Sequence, residues 1–288
     1  MSNTDNCSIE SCAVELSFYG YRPNLGANIF LTVIYSLVIS AAAIIILQRR
    51  RDWLSYNICI ILGSVLELVG YAERIKAYSN PFALDGFTIQ YALLTIAPVF
   101  ITAAIYISIG QLAQKMGRGY LNIKPGLYPR IFIPCDVVIL AVQATGGALT
   151  TSQTSSPEAA AKYKYGKPSG VIVTIVGLVL QVVSLTVFLV LFSAILLGQT
   201  KSRGLCEAKS KKPAAWTKSM RLSMFIYSLA IACILVLIRS AYRVAELSNG
   251  LDSGLAQNEG LFIGLDGMLI ALATVLLIGF HPVYLLKD

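Results

Sequence analysis

Apolar residues fill this chain in long blocks, and polar residues gather in the short stretches between them. A block of about 20 residues suits a helix crossing a ~30 Å hydrocarbon core at ~1.5 Å per residue. Seven blocks predict spanning helices near 27–47, 54–75, 89–113, 131–151, 170–198, 219–242 and 260–280. The first, third and fifth contain no charged residue, while the others hold Glu67, Asp136, Arg239 and Asp266 and stay apolar enough to insert. The expected fold is all-α, a polytopic bundle of seven transmembrane helices. An N-terminal tail over 1–26, a membrane domain over 27–282 and a short tail over 283–288 make up the chain.

Lys and Arg set the expected orientation. They follow the first block (Arg49, Arg50, Arg51), the third (Lys115, Arg118, Lys124, Arg130) and the fifth (Lys201 to Arg221), and with Lys287 they place 15 of the 23 basic residues on one side. The positive-inside rule makes that side the cytoplasm, so the N-terminus lies outside and the C-terminus inside. Asn6-Cys7-Ser8 fits the N-x-[ST] sequon and marks Asn6 as a glycosylation candidate on the exterior side. Cys7 and Cys12 share that tail, where a disulfide is chemically permitted and its pairing open. The first block is expected to act as an uncleaved anchor, because no basic start and apolar stretch of a signal peptide precedes it. The longest connections, near 151–169 and 199–218, are too short to bury a core. The second is basic and offers a contact surface for anionic lipid or a cytoplasmic partner.

Composition agrees with a chain solvated by lipid: 56% of residues are hydrophobic and 13% charged. The net charge of +8 sits at the ends of apolar blocks, where it orients helices, so no nucleic-acid partner is expected. No G-x-x-x-x-G-K-[ST], H-E-x-x-H, G-x-S-x-G or ligand-spaced Cys/His set occurs, so no ATPase motor, metal, cofactor or catalytic residue is assigned. The seventh block lacks the lysine that retinal attachment needs, and the third ends in Gln111-Leu112-Ala113-Gln114 without the acidic-Arg-aromatic triplet of the common G-protein-coupled receptors. Cys59, Cys135 and Cys233 read as small hydrophobes.

Ionisable residues inside a membrane cost about 2.5–3.5 kcal/mol each on insertion scales and call for a reason. Glu67, Gly70, Tyr71 and Arg74 fall at i, i+3, i+4 and i+7 and share one helix face; Arg239, Tyr242, Arg243 and Glu246 repeat the spacing. With Asp266 these groups lie in the half of the membrane toward the exterior. If the two faces meet, Glu67 and Asp266 pair with Arg239 and Arg243 around a vestibule that opens outward. Asp136, Gln143 and Gln181 form a second polar set that continues the path or bonds helices together. Gly63, Gly70 and Gly146-Gly147 read as packing contacts, Pro98 as a kink and His281 as an interfacial residue.

These residues also carry a resemblance. Tyr19-Gly20-Tyr21-Arg22-Pro23, Glu67-x-x-Gly70-Tyr71-x-x-Arg74, Gln90 with Ala97-Pro98 and Tyr106, Asp136 with Gln143 and Gly146-Gly147, Gly177-Leu178 with Gln181, Arg239-Ser240-x-Tyr242-Arg243-x-x-Glu246, and Glu259, Asp266 and His281-Pro282 follow one another over residues 19–282. In that order and spacing the chain resembles the fungal lipid-translocating exporter family. Gln111 and Phe262 depart from the family pattern, and neither is expected to touch the charged cluster.

The resemblance implies movement of amphipathic lipids or other amphiphilic small molecules across a membrane, the plasma membrane first and a vacuolar or other endomembrane second. It carries no assigned residue roles. The alternative is a seven-helix sensor that regulates lipid transport or a stress response, which the topology and the basic third inner loop suit equally.

Overall fold

The computed structural model describes residues 19–48, 53–115, 127–154, 169–207, 220–250 and 258–285, with Val14 and Ser17. Asn6, Cys7, Cys12 and the basic stretch after Glu207 lie outside the described residues. Everything regular among those described is helical. Seven long helices follow one another: α1 (Leu25–Gln48), α2 (Leu54–Ala77), α3 (Leu84–Lys115), α4 (Leu127–Thr154), α5 (Ser169–Glu207), α6 (Met220–Asn249) and α7. The last is built in three sections, Glu259–Leu261, a π-helical stretch Phe262–Met268 and Leu269–Gly279, and a single turn, α8 (Pro282–Leu285), ends the described chain.

Local chemistry sets several of these ends. Pro23 and Asn24 precede α1, and the Asn24 side-chain oxygen accepts from the Ala27 amide at 3.1 Å, satisfying an N–H of the first turn. Asn258 caps α7 in the same way through the Leu261 amide. Trp53 enters α2 with φ of 59°, a left-handed conformation that reverses the chain just before the helix.

The helices outrun the apolar blocks that predict them. α3 starts at Leu84 instead of near 89, α6 runs on to Asn249, and α5 persists through Glu207, well into the stretch expected to be a loop. A hydropathy window sees only the hydrocarbon layer, and a helix can continue beyond it.

Each helix packs against its neighbours in sequence, and α1 meets α7, so the seven close into a ring in chain order. A crossing contact between α3 and α6 fills the middle. Small residues allow the closest approaches. A Cβ on Gly70 would lie 2.7 Å from the Leu94 side chain, and one on Gly63 would lie 3.1 Å from the Ala97 carbonyl, so α2 and α3 touch nearly backbone to backbone. Gly146 does the same for α4 against Thr174 of α5, whereas a Cβ on Gly147 would meet nothing within 4 Å, so that glycine is not the packing contact expected.

Polarity is arranged inside out. Phe30, Leu37, Leu47, Val138 and Val190 face outward, while Glu67, Arg74, Asp136, Arg239 and Asp266 are buried. A water-soluble protein does the reverse, because water rewards exposed charge and lipid does not. Among the described residues six helices are long and apolar enough to cross a membrane, namely Leu25–Gln48, Asp85–Leu112, Leu127–Thr150, Ser169–Ala194, Arg221–Asn249 and Glu259–Leu285. The chain is a multi-pass integral membrane protein. α2 is not among the six; its inward face carries Asn57, Ser64, Glu67 and Arg74, all buried between α1 and α3.

Candidate functional site

The two polar faces do meet. Arg239 reaches from α6 to Asp266 on the π-helical stretch of α7, Nε to Oδ1 at 3.0 Å, and Arg243 one turn on lies 3.4 Å from the same oxygen. Arg243 also donates to Glu246 at 2.8 Å and rests over the Tyr91 ring of α3. Asp266 therefore neutralises two guanidiniums that lipid would otherwise expel.

Pro98 contributes to this arrangement, which the sequence did not reveal. A carbonyl at position 94 ordinarily accepts from the amide of residue 98, and proline has none. The Leu94 carbonyl instead accepts from Arg239 Nη2 at 2.6 Å. The kink residue of α3 thus leaves an acceptor for the α6 guanidinium, and it anchors the crossing contact between those helices.

Glu67 departs from expectation. Among the described residues it joins no ion pair, and at 1% exposure its Oε1 has no hydrogen-bond partner. It shares the junction of α1, α2 and α7 with Tyr71 and with Tyr35, whose rings stack at a centroid distance of 5.9 Å. The Tyr71 phenol oxygen is buried without a partner, as is Ser64 Oγ one turn below Glu67, and the Tyr35 hydroxyl lies against the Glu67 carboxyl. Tyr35 sits on the charge-free first helix, where no sequence signal marks it. The expected pairing of Glu67 with an arginine fails because Asp266 and the Leu94 carbonyl already engage Arg239, and Asp266 and Glu246 engage Arg243.

Arg74 closes the cluster at the end of the bundle formed by Ala77 and Glu259. Its Nη2 donates to the Tyr21 oxygen at 2.5 Å and lies 3.5 Å from Glu259 Oε1, which also accepts from the Asn24 amide at the start of α1. Tyr19 donates to Gln90 of α3 at 2.8 Å, and Arg22 fastens to the Tyr78 carbonyl and ring. Residues 19–24 are thus a strap laid over the bundle, not part of a free tail. Burial pushes the Tyr19 phenol up to about 12, with the nearby Arg74 charge opposing the shift, and burial raises Tyr21 as well. Both stay protonated near neutral pH. With Arg74 1% exposed beneath this strap, the expected open vestibule is capped in this structure.

Phe262 corrects a further expectation. Its ring lies 4.1 Å under the Arg74 guanidinium and 6.0 Å from that of Arg243, so this departure from the family pattern touches the charged cluster directly.

The second polar set stands apart. Asp136 on α4 accepts from Tyr106 at 3.0 Å and Thr102 at 3.3 Å on α3 and from Ser184 on α5 at 3.1 Å. Gln143 donates to Gln181 at 3.0 Å across α4 and α5. Among the described residues no hydrogen bond or ion pair joins this set to the arginine cluster. Its geometry is that of a seam between helices.

At the opposite end of the bundle His281 is fully buried among its neighbours. Its Nδ1 accepts from the Val283 amide at 3.1 Å, so Nε2 carries the proton and donates to Asn57 Oδ1 at 3.0 Å. Tyr56 donates to the Leu277 carbonyl, an orphan acceptor at the end of α7.

A family model described as "RTA1 like protein" matches residues 60–288, a stretch that holds α3 to α8 and most of α2. The chain belongs to the RTA1-like family. This is the family its spaced motifs resemble. The chain is 31% identical over 323 aligned positions to the sphingoid long-chain base transporter RSB1 of Saccharomyces cerevisiae, covering 100% of this chain and 81% of the relative. Protein RTA1 of the same yeast is 27% identical over 92% of this chain and 84% of its own length. Protein RTM1 is 26% identical over 94% and 93%. No solved structure matches. Within this RTA1-like chain part of that motif set converges in space: the 19–23 strap, Gln90, Pro98, Arg239, Arg243, Glu259 and Asp266 meet at one buried cluster.

Proposed function

We propose that this chain moves amphipathic lipids across the membrane, handling the headgroup at the buried cluster of α2, α6 and α7 while the tail stays in lipid. One observation carries the reading: a dense set of acids and bases is enclosed by helices whose outer faces are mostly apolar and, along their middles, uncharged. A headgroup with charge needs such partners at depth, and a tail needs such a surface. The relative named as a sphingoid long-chain base transporter supports a cationic amphiphile as substrate.

In this reading Glu67, with Tyr71 beside it, takes an amine, and Arg74, Arg239, Arg243, Glu246 and Asp266 form its charged surround. Asp136, Gln143 and Gln181 hold α3, α4 and α5 together. α2 counts as the seventh span, with the charged face shielded by its neighbours, and the positive-inside distribution sets the N-terminus outside and the C-terminus in the cytoplasm. The Arg74 end then faces outward, and the strap over residues 19–24 is an exterior cap. Plasma membrane residence fits the exporter reading best.

Glu67→Gln and Arg239→Ala proteins should reach the membrane yet lose protection of cells against a toxic sphingoid base. Normal protection by both would remove the cluster from the route. Purified protein in liposomes separates carrier from sensor: a carrier moves labelled lipid without partners, and a sensor does not.

A further inference from the structure

Four carboxylates and three guanidiniums make up the cluster of α2, α6 and α7, and of these Arg74 pairs with Glu259. Asp266 faces both Arg239 and Arg243, and Glu246 holds Arg243 from the rim. Glu67 is left without a cation. Were all seven groups ionised, the cluster would hold one uncompensated negative charge in a medium that penalises it severely. One further positive charge balances the cluster.

The surroundings of Glu67 select its chemistry. Tyr35 faces it from α1 with its hydroxyl against the carboxyl, and Tyr71 and Ser64 face it from its own helix; the Tyr71 Oη and Ser64 Oγ atoms are buried and unpartnered. Asp266 lies nearby on α7, with Arg239, Arg243 and Glu246 on α6 and Tyr91 and the Leu94 carbonyl on α3 completing the wall. Gly267 opens space for the Tyr71 hydroxyl, since a Cβ there would stand 2.7 Å from it. Hydroxyls both donate and accept, so this ring around one carboxyl suits an occupant with a few directed N–H or O–H donors. It lacks the several carbonyl and carboxylate oxygens that calcium or magnesium demands, and no His/Cys/Asp/Glu group suited to a metal occurs among the described residues.

We propose that Glu67 is an exchange site that holds either one proton or one primary ammonium group, so that the passage of a cationic amphiphile is coupled to a proton. The inference rests on the carrier reading above. In the empty state the carboxyl carries the proton. When R–NH3+ arrives, that proton leaves to water and a carboxylate–ammonium pair remains. The carboxyl O–H bond breaks, water takes the proton, and the cluster keeps the same net charge in both states. One carboxyl cannot hold both occupants, so a proton entering from one side displaces the amine toward the other. Asp266, tied to two arginines, does not take part in the exchange.

The test uses the purified full-length protein in weakly buffered detergent at about pH 7, where a sphingoid base is largely protonated, with sphingosine as the probe. Binding should release about one proton per amine bound, read with a pH dye. An N-acylated, uncharged analogue should release none. Glu67→Gln should bind the amine at least about tenfold more weakly and release no proton, and Glu67→Asp, which keeps the carboxyl, should restore release if the glutamine protein proves unstable. In liposomes, flux of a labelled sphingoid base should rise several-fold under a pH gradient. Amine binding without proton release, release that persists in Glu67→Gln, or flux indifferent to the gradient would overturn the exchange and leave the carrier reading standing. Absence of both binding and flux would remove the carrier reading and the exchange together.

Discussion

Asp266 holds the cluster's balance, and Asp266→Asn tests that role. The substitution keeps the shape and one acceptor oxygen but removes the charge facing Arg239 at 3.0 Å and Arg243 at 3.4 Å. All three side chains are at most 5% exposed, so solvent screens little of the loss. Removing one partner of a buried pair costs on the order of 3–5 kcal/mol, because a buried charge is left uncompensated. At roughly 2–4 °C per kcal/mol for a chain of this size, the apparent melting midpoint should fall on the order of 10 °C. The assay is the fraction of monodisperse protein surviving a heating series in detergent, an operational midpoint since unfolding there is irreversible. Glu246→Gln is the comparison: it touches Arg243 from the rim and should cost about 1–2 kcal/mol. A drop for Asp266→Asn no larger than that for Glu246→Gln would refute the keystone role.

Further outcomes follow from other contacts. Gly70→Ala places a Cβ 2.7 Å from the buried Leu94 side chain and should cost about 1–3 kcal/mol in the same heating series; Gly147→Ala, with open space around it, should be neutral or slightly stabilising. Asn57→Ala strands the His281 Nε2 proton in a buried site and should cost about 1–3 kcal/mol. Tyr19 carries a pH signature: its folded value of about 12 lies above the ordinary 10, so its contribution is complete below pH 10 and disappears as pH rises toward 12. Tyr19→Phe should lower stability at neutral pH by about 1 kcal/mol, through loss of the Gln90 hydrogen bond, yet flatten the decline above pH 10.

The helical faces were legible because spacing alone puts Glu67, Tyr71 and Arg74 on one side of α2, and Arg239, Arg243 and Glu246 on one side of α6. All six are buried together as that spacing requires, apart from the partner of Glu67. Which acid meets which base is a matter of rotation and depth between helices, and no one-dimensional pattern encodes it. Tyr35 was missed because a hydroxyl on a charge-free helix carries no periodic signal. Spacing leaves Phe262 remote from the charges and reads Tyr19–Arg22 as tail, because both act through ring faces and segment folding instead of a periodic charge pattern. The π-helical stretch that presents Asp266 leaves no mark in composition either.

The ring of helices in chain order has a bearing on synthesis. Six of its seven neighbouring contacts join consecutive segments, so the bundle can assemble progressively as the polypeptide emerges, with little loop-closure entropy. The meeting of α1 with α7 comes last, and with it Asp266. Arg239 and Arg243 therefore enter the bilayer before their shared counter-ion has been translated. A chain truncated ahead of residue 259 leaves Arg239 without the acid it pairs with, and cellular quality control should clear it even though six helices are complete.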